Sequence, residues 1–214
     1  MPSHSRRAMN KFPLISLVGA ALLALASVHA PAAQEAVAVE RQGVAPATWV
    51  DLEHSQWIAD GRDDAPRKVY VFMDANCKYC TKFWSDARPW VRSGKVQLRH
   101  IMVAVIAPTS AGKAATLMLD PDPAGRLSSF EAAHAFGVVR MMAGGAHHSL
   151  EDPNLQPMQA IPADVGRSLG HHERLMHSLG LSGTPGIVYR GLNGQLMTRP
   201  GISTEELPTI LGAL

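Results

Sequence analysis

The stretch Lys68-Val69-Tyr70-Val71-Phe72-Met73-Asp74-Ala75-Asn76-Cys77-Lys78-Tyr79-Cys80-Thr81-Lys82-Phe83-Trp84 decides how this chain is read. Its first part is a β-rich run, apolar enough from Val69 to Met73 to be a central strand buried on both faces. Its last part opens an amphipathic helix near Thr81, in which Phe83, Trp84, Ala87 and Val91 share one side. Between the two stand both cysteines of the 214 residues, spaced C-x-x-C. No third or fourth thiol is present to complete a four-thiolate zinc site, so the pair points to electron chemistry rather than metal structure. The bland reading is an inert staple, but a loop this short constrains the unfolded chain little.

The spacing has a direct physical reading. A thiolate at a helix N-terminus faces unpaired backbone N–H groups and the positive end of the helix dipole. Cys77 is therefore expected to have a lowered pKa and to be the attacking sulfur. Cys80 lies one turn further on, more buried and within bonding reach, and is expected to resolve the mixed disulfide formed with a substrate. Lys78 adds a cation between them, and Asp74, three residues before Cys77, either receives a proton or stabilises the loop. A CxxC at a strand-to-helix junction is the site layout of thioredoxin-like redox proteins.

The first residues read as an export signal. Arg6, Arg7 and Lys11 form a positive region, residues 12–28 are apolar, and Ala30-Pro31-Ala32 offers cleavage after either alanine. An uncleaved anchor and a loose twin-arginine pattern are the alternatives. Taking residues 1–32 as signal removes three basic and no acidic residues, which turns the formal charge of +2 into −1. The basicity of the chain thus belongs to the signal, and no electrostatic footprint for nucleic acid remains. Export to the periplasm, an oxidising compartment, suits a redox-active CxxC. The about 180 residues that follow suffice for one domain with a real core. Residues 33–46 read as a short linker and residues 47–214 as the domain.

Along that domain, residues 47–60 read as a helix with Trp49 and Leu52 on its apolar side, closed by turn residues from Gly61 to Pro66. The helix after the CxxC runs to Arg92 and is expected to kink at Pro89. Residues 96–106 form a second buried strand. Residues 108–179 form a helical insertion, with helices over 111–119, 128–142 and 163–179. Strands at 187–189 and 195–198 flank a turn, and a last helix covers 204–211, capped by Ser203 or Thr204. The fold class is α/β, in the order βαβ, insertion, ββα, with a right-handed crossover. In thioredoxin-like folds a cis-proline faces the CxxC just before such a late strand, and Thr184-Pro185 stands there. Its backbone would pair with an extended substrate.

The run from Val69 to Trp84, with Ala87-Arg88-Pro89-Trp90-Val91 and residues 93–99, resembles the DsbC/DsbG family of periplasmic disulfide isomerases, and the DsbG branch most. Glu173-Arg174-Leu175-Met176, Thr184-Pro185 and, upstream, Leu52-Glu53 and residues 57–61 extend the resemblance over residues 47–214. It implies a thioredoxin-like fold with a helical insertion and thiol-disulfide exchange on exported client proteins. Cys77 would attack, Cys80 would resolve, and Tyr79, Thr184 and Pro185 would line the substrate groove. It implies a membrane electron donor of the DsbD type, and no cofactor beyond the Cys77–Cys80 disulfide itself. The family also carries an N-terminal dimerisation domain. Only about 14 residues separate the signal from Ala47, too few for a two-stranded swap of useful size, so a monomer is expected. Lys78 stands where the family patterns have proline or glycine.

His147-His148, His171-His172 and His177 invite a metal reading, but adjacent helical residues point apart. Solvated positions are expected for them and no metal site. Met141, Met142, Met158 and Met176 read as core fillers rather than a copper path. The leading reading is an exported reductase or isomerase of disulfides. The alternatives are a dithiol oxidase, a copper metallochaperone and a redox-inactive binding module.

Overall fold

A computed structural model describes residues 47–201 and 203–214; the signal and linker expectations lie outside the described residues. The first element, α1 (Trp49–His54), is followed by the short strand β1 (Ile58–Asp60) and the long strand β2 (Arg67–Met73). Helices α2 (Lys78–Asp86) and α3 (Arg88–Arg92) lead to β3 (Val96–Met102). Helices α4 (Ser110–Met118), α5 (Pro123–Met142) and α6 (Ala163–Ser178) follow, then β4 (Gly186–Arg190), β5 (Leu196–Pro200) and a 3₁₀ turn over Thr204–Glu206 that runs into α7 (Leu207–Leu211). The sheet order is β1-β3-β2-β4-β5. β2 and β3 are parallel, with Val69 opposite Leu98, and the other neighbours are antiparallel. This is the expected βαβ–ββα order with helices α4 to α6 inserted.

The period-two alternation of the central strands divides the interior. Val69, Val71, Met73, Leu98, Met102 and Ile187 face one core with α2, α3, α4, α5 and α7. Tyr70, Phe72, Ile101 and Val188 face the other, closed by Leu52 of α1 and Leu175 and Met176 of α6.

Five boundaries differ from the sequence reading, each for an identifiable reason. The helix expected over 47–60 stops at His54, where Ser55 turns extended and its hydroxyl donates to Asp51 O at 2.9 Å. Residues 58–60 then pair with the free edge of β3, a non-local gain that local periodicity does not register. The helix after the cysteines begins at Lys78 and breaks at Ala87, because Pro89 has no N–H to continue it and instead sits in the first turn of α3. Arg88 Nε donates to Trp84 O at 2.8 Å, occupying a carbonyl at the break. The strand expected to reach residue 106 leaves the sheet after Met102; the N–H groups of Val105 and Ile106 turn to Asp74 Oδ2 at 2.8 and 3.0 Å. The last helix starts as the 3₁₀ turn, with a capping box between Ser203 and Glu206. Helix α5 begins earlier than expected, at Pro123, with the Asp122 carboxylate accepting from Gly125 N at 3.0 Å.

Candidate active site

The loop from β2 into α2 is held by a buried carboxylate. Asp74 accepts from the N–H of Asn76 at 2.9 Å, the N–H of Val105 and Ile106, and the Ser110 hydroxyl at 2.7 Å. With four donors on its two oxygens, Asp74 clamps the loop, and its charge opposes ionisation of Cys77. The Asn76 side chain donates to Thr109 and Ser110 and accepts from Lys113 Nζ at 2.8 Å. Lys113 is wholly buried and also donates to Leu150 O at 2.9 Å. The insertion thus grips the residue that precedes Cys77.

Cys77 is the N-cap of α2, and its sulfur accepts from Cys80 N at 3.1 Å. Its thiol donates to Thr184 O at 3.3 Å. The neighbouring Cys80 thiol does most to hold Cys77 below the usual thiol range; Thr184 and the Cys80 backbone N–H add to it, against burial and Asp74. Burial pushes Cys80 well above that range, reinforced by its bond to Cys77 and by the charge of Cys77. Both thiols are free and lie within one turn of each other. The arrangement supplies one sulfur that ionises readily and one that holds its proton.

The peptide bond Thr184–Pro185 is cis, as the sequence motif predicts. Thr184 O is at Cys77, while Pro185 O accepts from Gly201 N at 2.8 Å. Tyr79 is 69% exposed on the first turn of α2. Cys77, Cys80, Thr184 and Pro185 are therefore brought together, with Tyr79 projecting beside them. Lys78 does not reach the sulfur: its Nζ lies 2.9 Å from His147 Nε2.

Of the histidines expected to be solvated, His147, His171 and His177 are exposed, whereas His148 is half-buried and His172 is buried. His148 Nε2 lies 3.0 Å from His134 Nδ1, and His134 Nε2 lies 3.3 Å from Asp152 Oδ2. Adjacent His147 and His148 point apart, so one meets Lys78 and the other meets α5. His172 is buried and its Nδ1 lies 2.8 Å from Met102 O, because α6 lies over the end of β3. Among the described residues no group of three or more His, Cys, Asp or Glu side chains is arranged to hold a metal ion. Sequence reasoning also missed the surroundings of Cys80. Glu131 of α5 is buried there beside Thr81, and a charge in an alanine-rich helix gives no signal of being inside.

No protein-family profile matches the chain. It is 44% identical over 165 residues to the thiol:disulfide interchange protein DsbG of Pseudomonas aeruginosa, covering 77% of this chain and 58% of that one. It is 36% identical over 180 residues to the Escherichia coli protein of the same name, covering 81% and 64%. The chain thus spans about three fifths of the length of these relatives. Among solved structures, the catalytic domain of Proteus mirabilis ScsC superposes with a TM-score of 0.53 at 18% identity, over 75% of this chain and 90% of that one. A periplasmic thioredoxin-like protein from Salmonella enterica superposes with a TM-score of 0.52 at 14% identity, over 73% and 88%. The fold is thioredoxin-like.

Proposed function

This chain belongs to the DsbC/DsbG family of thiol:disulfide interchange proteins, and we propose that it exchanges disulfides of exported proteins in the periplasm, as a reductase or isomerase. The observation that carries this reading is the asymmetry of the two sulfurs at the start of α2. Cys77 ionises below the ordinary range and Cys80 above it. In the forward step the Cys77 thiolate attacks one sulfur of a client disulfide, and the other client sulfur leaves as a thiolate. Cys80, once deprotonated, attacks Cys77; the client's second sulfur leaves and Cys77–Cys80 becomes the disulfide. Two electrons pass from the protein to the client, and a membrane donor of the DsbD type returns them. In isomerisation the client re-pairs and releases Cys77 before Cys80 acts. Tyr79, Thr184 and Pro185 form the groove against which an extended client lies.

Insulin reduction tests the reading. Cys77→Ser is expected to abolish it, whereas Cys80→Ser retains attack and accumulates mixed disulfides with clients. Alkylation at limiting reagent that marks Cys80 before Cys77 would reverse the role assignment. The redox state of the pair in the cell sets the direction: mostly reduced supports the reductase or isomerase, mostly oxidised a dithiol oxidase. Copper binding that depends on Cys77 and Cys80, in a protein that reduces no disulfide, would favour a metallochaperone.

A further inference from the structure

Lys78 carries a charge that the two sulfurs do not use. It follows Cys77 and opens α2, half-buried, with its Nζ 2.9 Å from His147 Nε2. An ammonium only donates, so the ring nitrogen accepts. Its remaining N–H groups meet no protein acceptor, and no carboxylate lies within ion-pair distance of it, among the described residues. The lowered Cys77 is accounted for by Cys80 and Thr184, so the ammonium is not committed to the thiol. The acids of the neighbouring loops are engaged elsewhere: Asp74 by its four donors, Glu151 by Lys113 at 3.3 Å and Asp152 by His134 at 3.3 Å.

His147 is held in place by more than Lys78. It stands in the Gly/His-rich loop between α5 and α6, and the next residue, His148, is seated on α5. His148 Nε2 lies 3.0 Å from His134 Nδ1, and a Cβ on Gly137 would come within 2.2 Å of His148 Nδ1. Glycine weakens a helix interior, and at 137 it leaves the room that the imidazole occupies. Behind the ring pair, His134 Nε2 faces Asp152 Oδ2 at 3.3 Å. The start of the loop is tied by Gly145 N donating to Arg140 O at 2.9 Å, and its end by Leu150 O, which accepts from buried Lys113. The insertion therefore carries an acceptor to the edge of the CxxC, and that acceptor holds the ammonium there.

We infer that Lys78 determines specificity: held by His147, it receives a carboxylate of the client, the side chain of an Asp or Glu close to the cysteine whose sulfur Cys77 attacks. The inference rests on the exchange reading above and names a substrate class for it. A client bonded to Cys77 brings the residues beside its cysteine past Lys78 and the exposed Tyr79, which follow Cys77 in the chain. A carboxylate there gains a charge-assisted hydrogen bond from an ammonium already oriented. A basic residue at the same place meets a like charge. Lys78 is the binding residue, and His147 is a positioning residue that acts through it.

Exchange with peptide disulfides tests this. Each substrate is the symmetrical disulfide of one short peptide, with Glu, Gln or Lys on both sides of its cysteine. Each rate with the reduced protein is divided by the rate with dithiothreitol, an uncharged dithiol, to remove differences in the peptides' own reactivity. Wild type is expected to prefer the Glu over the Gln peptide by about fivefold, the size of an exposed ion pair, and over the Lys peptide by more. The preference should shrink as salt rises from ~0.05 to ~0.5 M. Lys78→Gln is expected to bring the Glu-to-Gln ratio to about 1, Lys78→Arg to keep it, and His147→Ala to lower it to about twofold. The ratio compares peptides on one protein, so a changed Cys77 reactivity cancels. Gly137→Ala, which displaces His148 and leaves Lys78 and His147 themselves intact, should act as His147→Ala does. Equal normalised rates for the Glu and Gln peptides would overturn the inference, as would a preference that survives Lys78→Gln. A ratio unchanged in both His147→Ala and Gly137→Ala would overturn the positioning role. No exchange with any of the peptides would instead defeat the dithiol reading itself.

Discussion

On the sheet face covered by α1 and the C-terminal half of α6, Leu52, Tyr70, Phe72, Ile101, Met176 and Val188 close an apolar core. The polar tip of Tyr70 is bonded to Arg99, and His172 nearby is bonded to Met102 O. On the face covered by α2 and α5 lie the half-buried ion pair of Asp60 with Arg88, the buried His100 that joins it, and both cysteines. Here Thr81 Oγ1, Trp84 Nε1, His100 Nδ1 and Glu131 Oε2 are all buried without a hydrogen-bond partner among the described residues. A core selected for stability alone satisfies or excludes such atoms. Their concentration on the cysteine side indicates that this face carries chemistry at the expense of stability, while the opposite face supplies the stability.

The comparison can be broken by substitution. The largest expected loss is from Arg88→Met, which leaves the largely covered Asp60 carboxylate with His100 alone and should cost about 3–5 kcal/mol in urea denaturation at pH 7. Burial pushes Asp60 upward, but the hydrogen bonds from His100 and Arg88 outweigh it and hold the carboxyl well below the usual range. Its contribution is therefore present above the unfolded carboxylate pKa and is lost as pH falls, so the cost of Arg88→Met should shrink in acid.

On the other face, Met176→Ala should cost about 3 kcal/mol as a cavity and leave the alkylation rate of Cys77 unchanged. A changed rate would show that the two faces are not independent.

Glu131→Gln sharpens the contrast, because it should stabilise. The folded carboxyl, at about 7, lies above the 4.5 of an ordinary glutamate. The folded state therefore holds the proton more tightly, and stability falls as pH rises from 4.5 to about 7, then levels off. Replacement should gain nothing at pH 4 and as much as about 3 kcal/mol at pH 8. Denaturation midpoints at the two pH values measure it.

The smallest effect is expected at the surface. Lys82→Ala removes an i,i+4 pair with Asp86 that also involves Thr204, and should cost only about 0.5 kcal/mol.

What could be read in advance was local. The Val69–Met73 run, the CxxC, the Thr184-Pro185 dipeptide and the cap before α7 each express themselves within a few residues. β1 could not be read that way, since three residues become a strand only because β3 offers an edge about 40 positions later. Lys113 and Glu131 stand in alanine-rich helices that give no local sign of their burial. Lys113 is bonded to Asn76, 37 positions away, and Glu131 lies on the helix packed against α2; no period in the sequence encodes either.

The bond from the Cys77 thiol to Thr184 O has a consequence for timing. While the sulfur keeps its hydrogen, it takes up one lone pair of that carbonyl. A thiolate or a mixed disulfide has no hydrogen to give, so that lone pair falls vacant at the moment the sulfur reacts. On the proposed function, an extended client segment would bring backbone N–H groups to the same place. The hold on the client's main chain would then be keyed to the state of one sulfur, strengthening when the covalent bond forms and slackening when Cys77 is a thiol again.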